Sequence, residues 1–321
     1  MNPDVANAIP KLVEAGLLPP DEAPRLLRVA RGELVSVHGE LRALLYGGVL
    51  LVTGGVGLLV KQNLDRLGPV AIAAAIGVAA MAALVWVARV APPFSWREAP
   101  SPNLGFDYVL LLGVLLAAAD LAYVEVRFTP LGSHWPWHLL IVSVFTALAA
   151  FRFDSRVVFS LALSTFAAWR GISVARFGSK FLDGFDAGDK VRWNAIACGA
   201  LFVLLGFAMK RTGRKAHFEP VATHLGWLLI LVSLASGMGE TSWWPWTLGL
   251  LLAGAALTVG SWRFRRFPLF AYGVLAVYGA VTRLAFSGID EAVAGCFWFF
   301  VTPLLVIGGL IVAHRRMKAP A

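Results

Sequence analysis

"PVAIAAAIGVAAMAALVWVARVA", Pro69 to Ala91, runs for 23 residues with a single charge, Arg89. Roughly 20 apolar residues suffice to carry a helix across a hydrocarbon core. The stretch lacks the in-out alternation of a barrel strand, and backbone amides in lipid must be satisfied within the segment, so it reads as a membrane helix. Comparable runs lie at about 43–60, 106–124, 136–151, 157–175, 193–209, 221–238, 243–260, 268–286 and 292–313, making ten in all. Composition agrees: 58% of the 321 residues are hydrophobic and 15% charged, with mean hydropathy +0.72, against about 25% charged in soluble domains. The expected fold is all-α, a polytopic helical membrane bundle of about ten spans over residues 43–313, between a cytoplasmic helical tail (1–42) and a short cytoplasmic C-terminal tail (314–321).

Orientation follows from Lys and Arg, which accumulate on the cytoplasmic side. With the N-terminus inside, the segments facing the cytoplasm hold 19 of these residues, the outer loops seven, and Arg170 and Arg283 fall within spans. Both termini are therefore expected in the cytoplasm, and the net charge of +9 expresses membrane topology, with no nucleic-acid footprint. No apolar signal-peptide core precedes the first span. Cys198 and Cys296 both lie inside predicted spans, which indicates packing residues and no disulfide scaffold.

The tail predicts two helices: one near Val5–Ala15 stopped by Gly16, and a second starting after Pro19 and Pro20 with Asp21 as N-cap. Leu27, Leu34, Leu41 and the Val37/Leu44 pair give the second an apolar stripe that can continue into the first span, a surface suited to a protein partner. Gly47 and Gly54, like Gly48 and Gly55, share a face that permits close helix contact, within the bundle or in a homodimer. The tail "LVEAGLLPPDEAPRLL", the glycine-rich "LLYGGVLLVTGGVGLLV" and the loop "KQNLDRLGP" resemble the start of a bacterial membrane-protein family known as domain of unknown function 2157, over about the first 90 residues. Leu64 stands where that family usually has tryptophan. The resemblance implies a many-helix architecture in a bacterial inner membrane and brings no active site.

Two further segments echo each other. "SHWPWHLLI" (Ser133–Ile141) is answered by "SWWPWTLGL" (Ser242–Leu250), and Arg152-Phe153 by Arg263-Phe264. Spans two to five (about 69–175) then correspond to spans six to nine (about 193–286), a parallel duplication of a four-helix unit. Trp135, Trp137, Trp244 and Trp246 suit the headgroup depth as interface anchors, with Pro tolerated in the first helical turn. His134 and His138, spaced to share a helix face, are two ligands where a structural zinc needs four, and Trp243 and Thr247 replace them in the second copy, so no metal is expected.

Ionisable residues at membrane depth mark functional sites. Asp120, Arg170, Glu240 and Arg283 all fall toward the outer ends of outward-running spans, where either they converge with His134 and His138 as a ligand-binding set, Asp120 facing Arg170, or Arg170 and Arg283, within about four residues of their span ends, snorkel to the interface. Asp183, Asp186 and Asp189 lack EF-hand spacing and read as a solvated loop. No nucleophile elbow, phosphate loop or HExxH motif is present, so neither an enzyme nor a cofactor is indicated. These features favour a non-enzymatic binder or transporter of a small amphiphilic or lipid-like molecule, with a membrane scaffold or sensor acting through its N-terminal helices as the alternative.

Overall fold

The computed structural model describes residues 3–16, 18–30, 38–63, 68–99, 101–103, 105–177, 186–287 and 292–318. Twelve helices and short 3-10 turns form its regular structure, and no strand occurs among the described residues. The chain divides into two units, residues 1–68 and 69–321.

In the first unit, α1 (Pro3–Glu14) ends where expected, at Gly16 with φ +68°, a left-handed conformation that glycine adopts without steric cost. Gly16 N–H donates to Val13 O and Leu18 N–H to Leu12 O, so the chain doubles back and α2 (Ala23–Ala30) packs against α1. The helix starts two residues past Asp21, which leaves the capping position to Glu22. Helix α3 (His38–Asn63) contains the glycine-rich run; the residues that would join α2 to α3, Leu34 and Val37 among them, lie outside the described residues.

The second unit comprises α4 (Pro69–Val90), α5 (Phe106–Phe128), α6 (Trp137–Phe153), α7 (Arg156–Phe177), α8 (Ala187–Thr212), α9 (Glu219–Gly237), α10 (Trp243–Arg263), α11 (Phe267–Phe286) and α12 (Ala292–Lys318). Each of the ten apolar runs thus falls in one helix. Among the described residues, eight helices are long and apolar enough to cross a membrane, whereas the apolar helices Ala43–Leu58 and Trp137–Phe153 are shorter. The 17 residues of α6 rise only about 25 Å, short of a hydrocarbon core of roughly 30 Å.

Chain neighbours make the largest helix contacts: α4 with α5, α6 with α7, α8 with α9, and α10 with α11. Glycine makes two of these seams possible. A Cβ on Gly199 would lie 2.5 Å from Gly226 O, and one on Gly226 would lie 2.6 Å from Gly199 O. Gly254 and Gly273 oppose each other similarly between α10 and α11, each hypothetical Cβ within 3.0 Å of the other's carbonyl. Helix α9 also touches α7, α10 and α11, so it is the central element. One apolar core joins Val87, Leu110, Val158, Phe159, Phe202 and Phe218, and a second joins Leu231, Leu250, Leu257, Leu269 and Ala276. Exposed Leu204, Val232, Leu252, Val259 and Leu304 leave an apolar outer surface of the kind lipid requires.

The two Arg-Phe dipeptides end α6 and α10 in matching turns. Asp154 (φ +63°) and Arg265 (φ +53°) follow them in the left-handed region. Ser155 N–H then reaches back to Ala150 O at 3.3 Å, as Arg266 N–H does to Ser261 O at 2.9 Å, and the next helix starts with Phe159 N–H on Ser155 O and Phe270 N–H on Arg266 O. The tryptophan motifs are less alike in packing: Trp137 and Trp244 are exposed, but Trp246 is buried against Gly237 and Trp193.

Candidate functional site

The N-terminus of α9 is held between these two matching turns, through side chains of opposite charge. On one side, Lys215 Nζ donates to Asp154 Oδ1 at 2.7 Å, and His217 Nε2 lies 2.8 Å from the same oxygen. Ala99 N–H donates to Asp154 Oδ2 at 2.5 Å. The side chains of Asp154, Lys215 and His217 are 6%, 1% and 5% exposed, so three polar groups have given up water for one another. Lys215 N–H also donates to Trp96 O at 2.7 Å, Lys215 Nζ sits over the Phe94 ring, and Arg156 donates to Glu98 at 2.7 Å. The segment between α4 and α5 is thereby strapped across the turns after α6 and α8. Beneath it Phe218 stacks on Phe159, with 4.6 Å between ring centroids.

On the other side of α9, Arg266 donates to Glu219 Oε1 at 2.5 Å, and Thr223 Oγ1 donates to the same oxygen at 3.3 Å. Two cavities flank this pair. A groove of about 490 Å³ lies between α8, α9 and α10, and a chamber of about 410 Å³ lies between the starts of α9 and α11 and the end of α12. Glu219, Thr223, Arg266 and Leu269 line both. The groove is graded along its length. Val203, Phe207 and Lys210 are successive turns of α8, Trp227, Thr223 and Glu219 successive turns of the antiparallel α9, and both series pass from apolar to polar toward the same end. Arg266 completes the polar end. The chamber is lined by His224, Arg265, Arg266, Phe267 and His314 beside Glu219.

The residues singled out from sequence lie at the opposite end of the helices. Glu240 and Arg283 both act at the turn between α9 and α10 but on different partners: Arg283 Nε donates to Met238 O at 3.1 Å, and Glu240 pairs with Arg192, itself bonded to Asp189. Arg170 donates to Asn194 Oδ1 of α8 at 2.7 Å. Asp120 is held elsewhere, in the α4–α5 seam, its Oδ2 3.0 Å from where a Cβ on Gly77 would stand and its Oδ1 without a hydrogen-bond partner. The Asp120–Arg170 pair therefore does not form; Asn194, uncharged and buried, is Arg170's partner. His134 belongs to a 3-10 turn and α6 begins only at Trp137, so His134 and His138 do not share a helix face. His138 instead contacts Trp135 O at 2.6 Å and His134 contacts Ser133 Oγ at 3.2 Å. Asp183 lies outside the described residues.

Residues 10–159 match the family described as predicted membrane protein (DUF2157). No curated protein and no solved structure matches the chain. The DUF2157 match extends past the 90 or so residues that carried the resemblance in sequence and ends within α7. It includes Asp154 and the strap from Phe94 to Ala99, while Lys215, His217 and both cavities lie beyond it. The chain is thus a predicted membrane protein with several apolar helices, and the DUF2157 description assigns no activity to the groove.

The sequence signal for Glu219 was its position: an acid directly before Pro220, at the start of an apolar run and just after four basic residues. Acids are favoured at a helix N-terminus by the macrodipole, so this position alone does not mark a site. Arg265 and Arg266 contribute in sequence only to the charge asymmetry that sets orientation. Nothing in their spacing indicated that a glycine-sealed α8–α9 pair would open a groove beside them.

Proposed function

We propose that this protein binds, and in doing so can carry, a small amphiphilic or lipid-like molecule in the groove between α8, α9 and α10, at the arginine-rich end of the bundle. The graded lining carries this reading. Phe207, Trp227 and Leu257 offer apolar contact for a tail, and Lys210, Glu219 and Arg266 collect at one end as a polar terminus for a headgroup. Basic pockets between membrane helices on the cytoplasmic side suit lipid headgroups.

The test uses Gly260, which lines the groove and where an added Cβ would meet no atom within 4 Å. Gly260→Leu should fill the groove while sparing the bundle's internal packing. We expect the affinity for dioctanoylphosphatidic acid, titrated calorimetrically into nanodiscs, to fall about tenfold, the effect of losing roughly 1.4 kcal/mol of contact, with an unchanged melting temperature. Equal affinity in the variant would remove the groove as the binding site.

The arginine-rich end is proposed to face the cytoplasm, with ten crossings in a bacterial inner membrane and both termini inside. A reporter fused after Ala321 should then read as cytoplasmic, and a cysteine at position 186 should react with an impermeant reagent from outside intact cells. Protection of that cysteine would reverse the orientation. We further propose that α4–α7 and α8–α11 descend from one four-helix unit; the matching left-handed turns at Asp154 and Arg265 and the shared pairing of consecutive helices support it.

A further inference from the structure

The chamber beside the groove contains two features that the tail-binding reading leaves unused. His224 Nδ1 and His314 Nδ1 are both buried and have no hydrogen-bond partner among the described residues, and both histidines line this one cavity. A buried polar nitrogen left unpaired is unfavourable, and such groups are uncommon in folded chains. Two on residues that line the same chamber point to a ligand that, once the rings turn toward it, supplies their partners. Each ring already packs on an aromatic neighbour: His314 edge-on to Phe267 at 4.3 Å between centroids, and His224 edge-on to Tyr272 at 5.6 Å. The ordering needed when a ligand arrives is limited to that turn.

The surrounding donors select the ligand. Arg266 lines the chamber beside Glu219, the one carboxylate among the lining residues. Arg266 engages Glu219 through Nη1, and a guanidinium has five N–H donors in a planar fork suited to phosphate. An imidazole can donate from Nδ1. Donors from arginine and two imidazoles, around a space with room for more than one water, match an acceptor-rich anion. Glu219, Thr223 and Arg266 border the groove as well, so a headgroup placed here stays attached to a tail placed there.

We infer that the chamber receives a phosphate-bearing anionic headgroup, contacted by His224, His314 and Arg266, of the amphiphile whose tail occupies the groove. The inference rests on the groove reading, and the experiment separates the two. The full chain in phosphatidylcholine nanodiscs is titrated with dioctanoylphosphatidic acid, dioctanoylglycerol and inorganic phosphate, for the wild type and for His224→Gln, His314→Gln and the double variant. Phosphatidic acid should bind about tenfold more tightly than dioctanoylglycerol, each single variant should reduce that preference several-fold, and the double variant should abolish it. Inorganic phosphate should compete with phosphatidic acid for the wild type, a measurement that needs no variant to fold. Equal binding of phosphatidic acid and dioctanoylglycerol would overturn the headgroup assignment and leave the groove standing. Binding of neither lipid nor phosphate would overturn both. Inorganic phosphate bound as tightly as phosphatidic acid would support the anion chemistry and make the chamber a free-phosphate site, overturning the role of the tail.

Discussion

Asp154→Ala is expected to destabilise the protein by about 3–5 kcal/mol, the cost of stranding a buried charge whose partner has been removed. Lys215 is almost fully enclosed and points its ammonium at this one carboxylate. The Ala99 N–H loses its acceptor, and His217 Nε2 loses the carboxylate oxygen beside it. Alanine also disfavours the left-handed backbone at this position, which asparagine tolerates. Asp154→Asn should therefore cost less, since it retains the turn and an acceptor oxygen. The double variant Asp154→Ala with Lys215→Met should cost less than the sum of the two single changes, because the orphaned charge is gone. Thermal unfolding of all four in one detergent measures the coupling. Additive effects would mean that water reaches Lys215 and that the strap is not sealed by this cluster.

The second large effect is expected at the α8–α9 seam. Gly226→Leu must place its Cβ 2.6 Å from Gly199 O and 3.0 Å from Val203 N, and backbone atoms cannot swing aside as a flexible side chain can. Overpacking costs typically about 1–3 kcal/mol and sometimes more; we expect the upper end, with α8 and α9 forced apart. The sign is informative because intrinsic helix propensity works the other way, favouring leucine over glycine by roughly 0.8 kcal/mol. Gly260→Ala, where a Cβ meets no atom within 4 Å, is the control and should be neutral or slightly stabilising. If Gly226→Leu unfolded no earlier than this control, the close approach of the two helices would not describe the protein in the membrane.

Much of the architecture could be read before the structure because hydropathy and length dictate it. Every apolar run became a helix, and Gly16 stopped α1 at the predicted place. The shortness of α6 was already visible in its apolar run, 136–151, and Pro136 with the 3-10 turn at 132–134 keeps the helix from extending further toward the N-terminus. The site, by contrast, was largely illegible. Depth along a helix can be counted, but rotation about its axis cannot, so Asp120 and Arg170 were matched in height while their side chains turned to Gly77 and to Asn194. Lys215 and Asp154 are 61 residues apart, and each stands in a short polar turn between apolar runs. Their burial depends on the strap from Phe94 to Ala99, a tertiary feature that no periodicity announces.

The pairing of each helix with its neighbour in sequence bears on how this protein is made. α4 with α5, α6 with α7, α8 with α9 and α10 with α11 each form a self-contained hairpin whose two legs emerge from the ribosome one after the other. Contacts so local in sequence require little loop-closure entropy, so each hairpin can leave the translocon already zipped, the glycine seams closing as the second leg arrives. Only the later docking of hairpins against α9 needs distant segments to find one another. The Asp154–Lys215 clasp joins the second hairpin to the third, so it can close only after both have been inserted. Biogenesis intermediates arrested before residue 215 would then hold Asp154 without its cation, and such intermediates should be the ones most readily extracted and degraded.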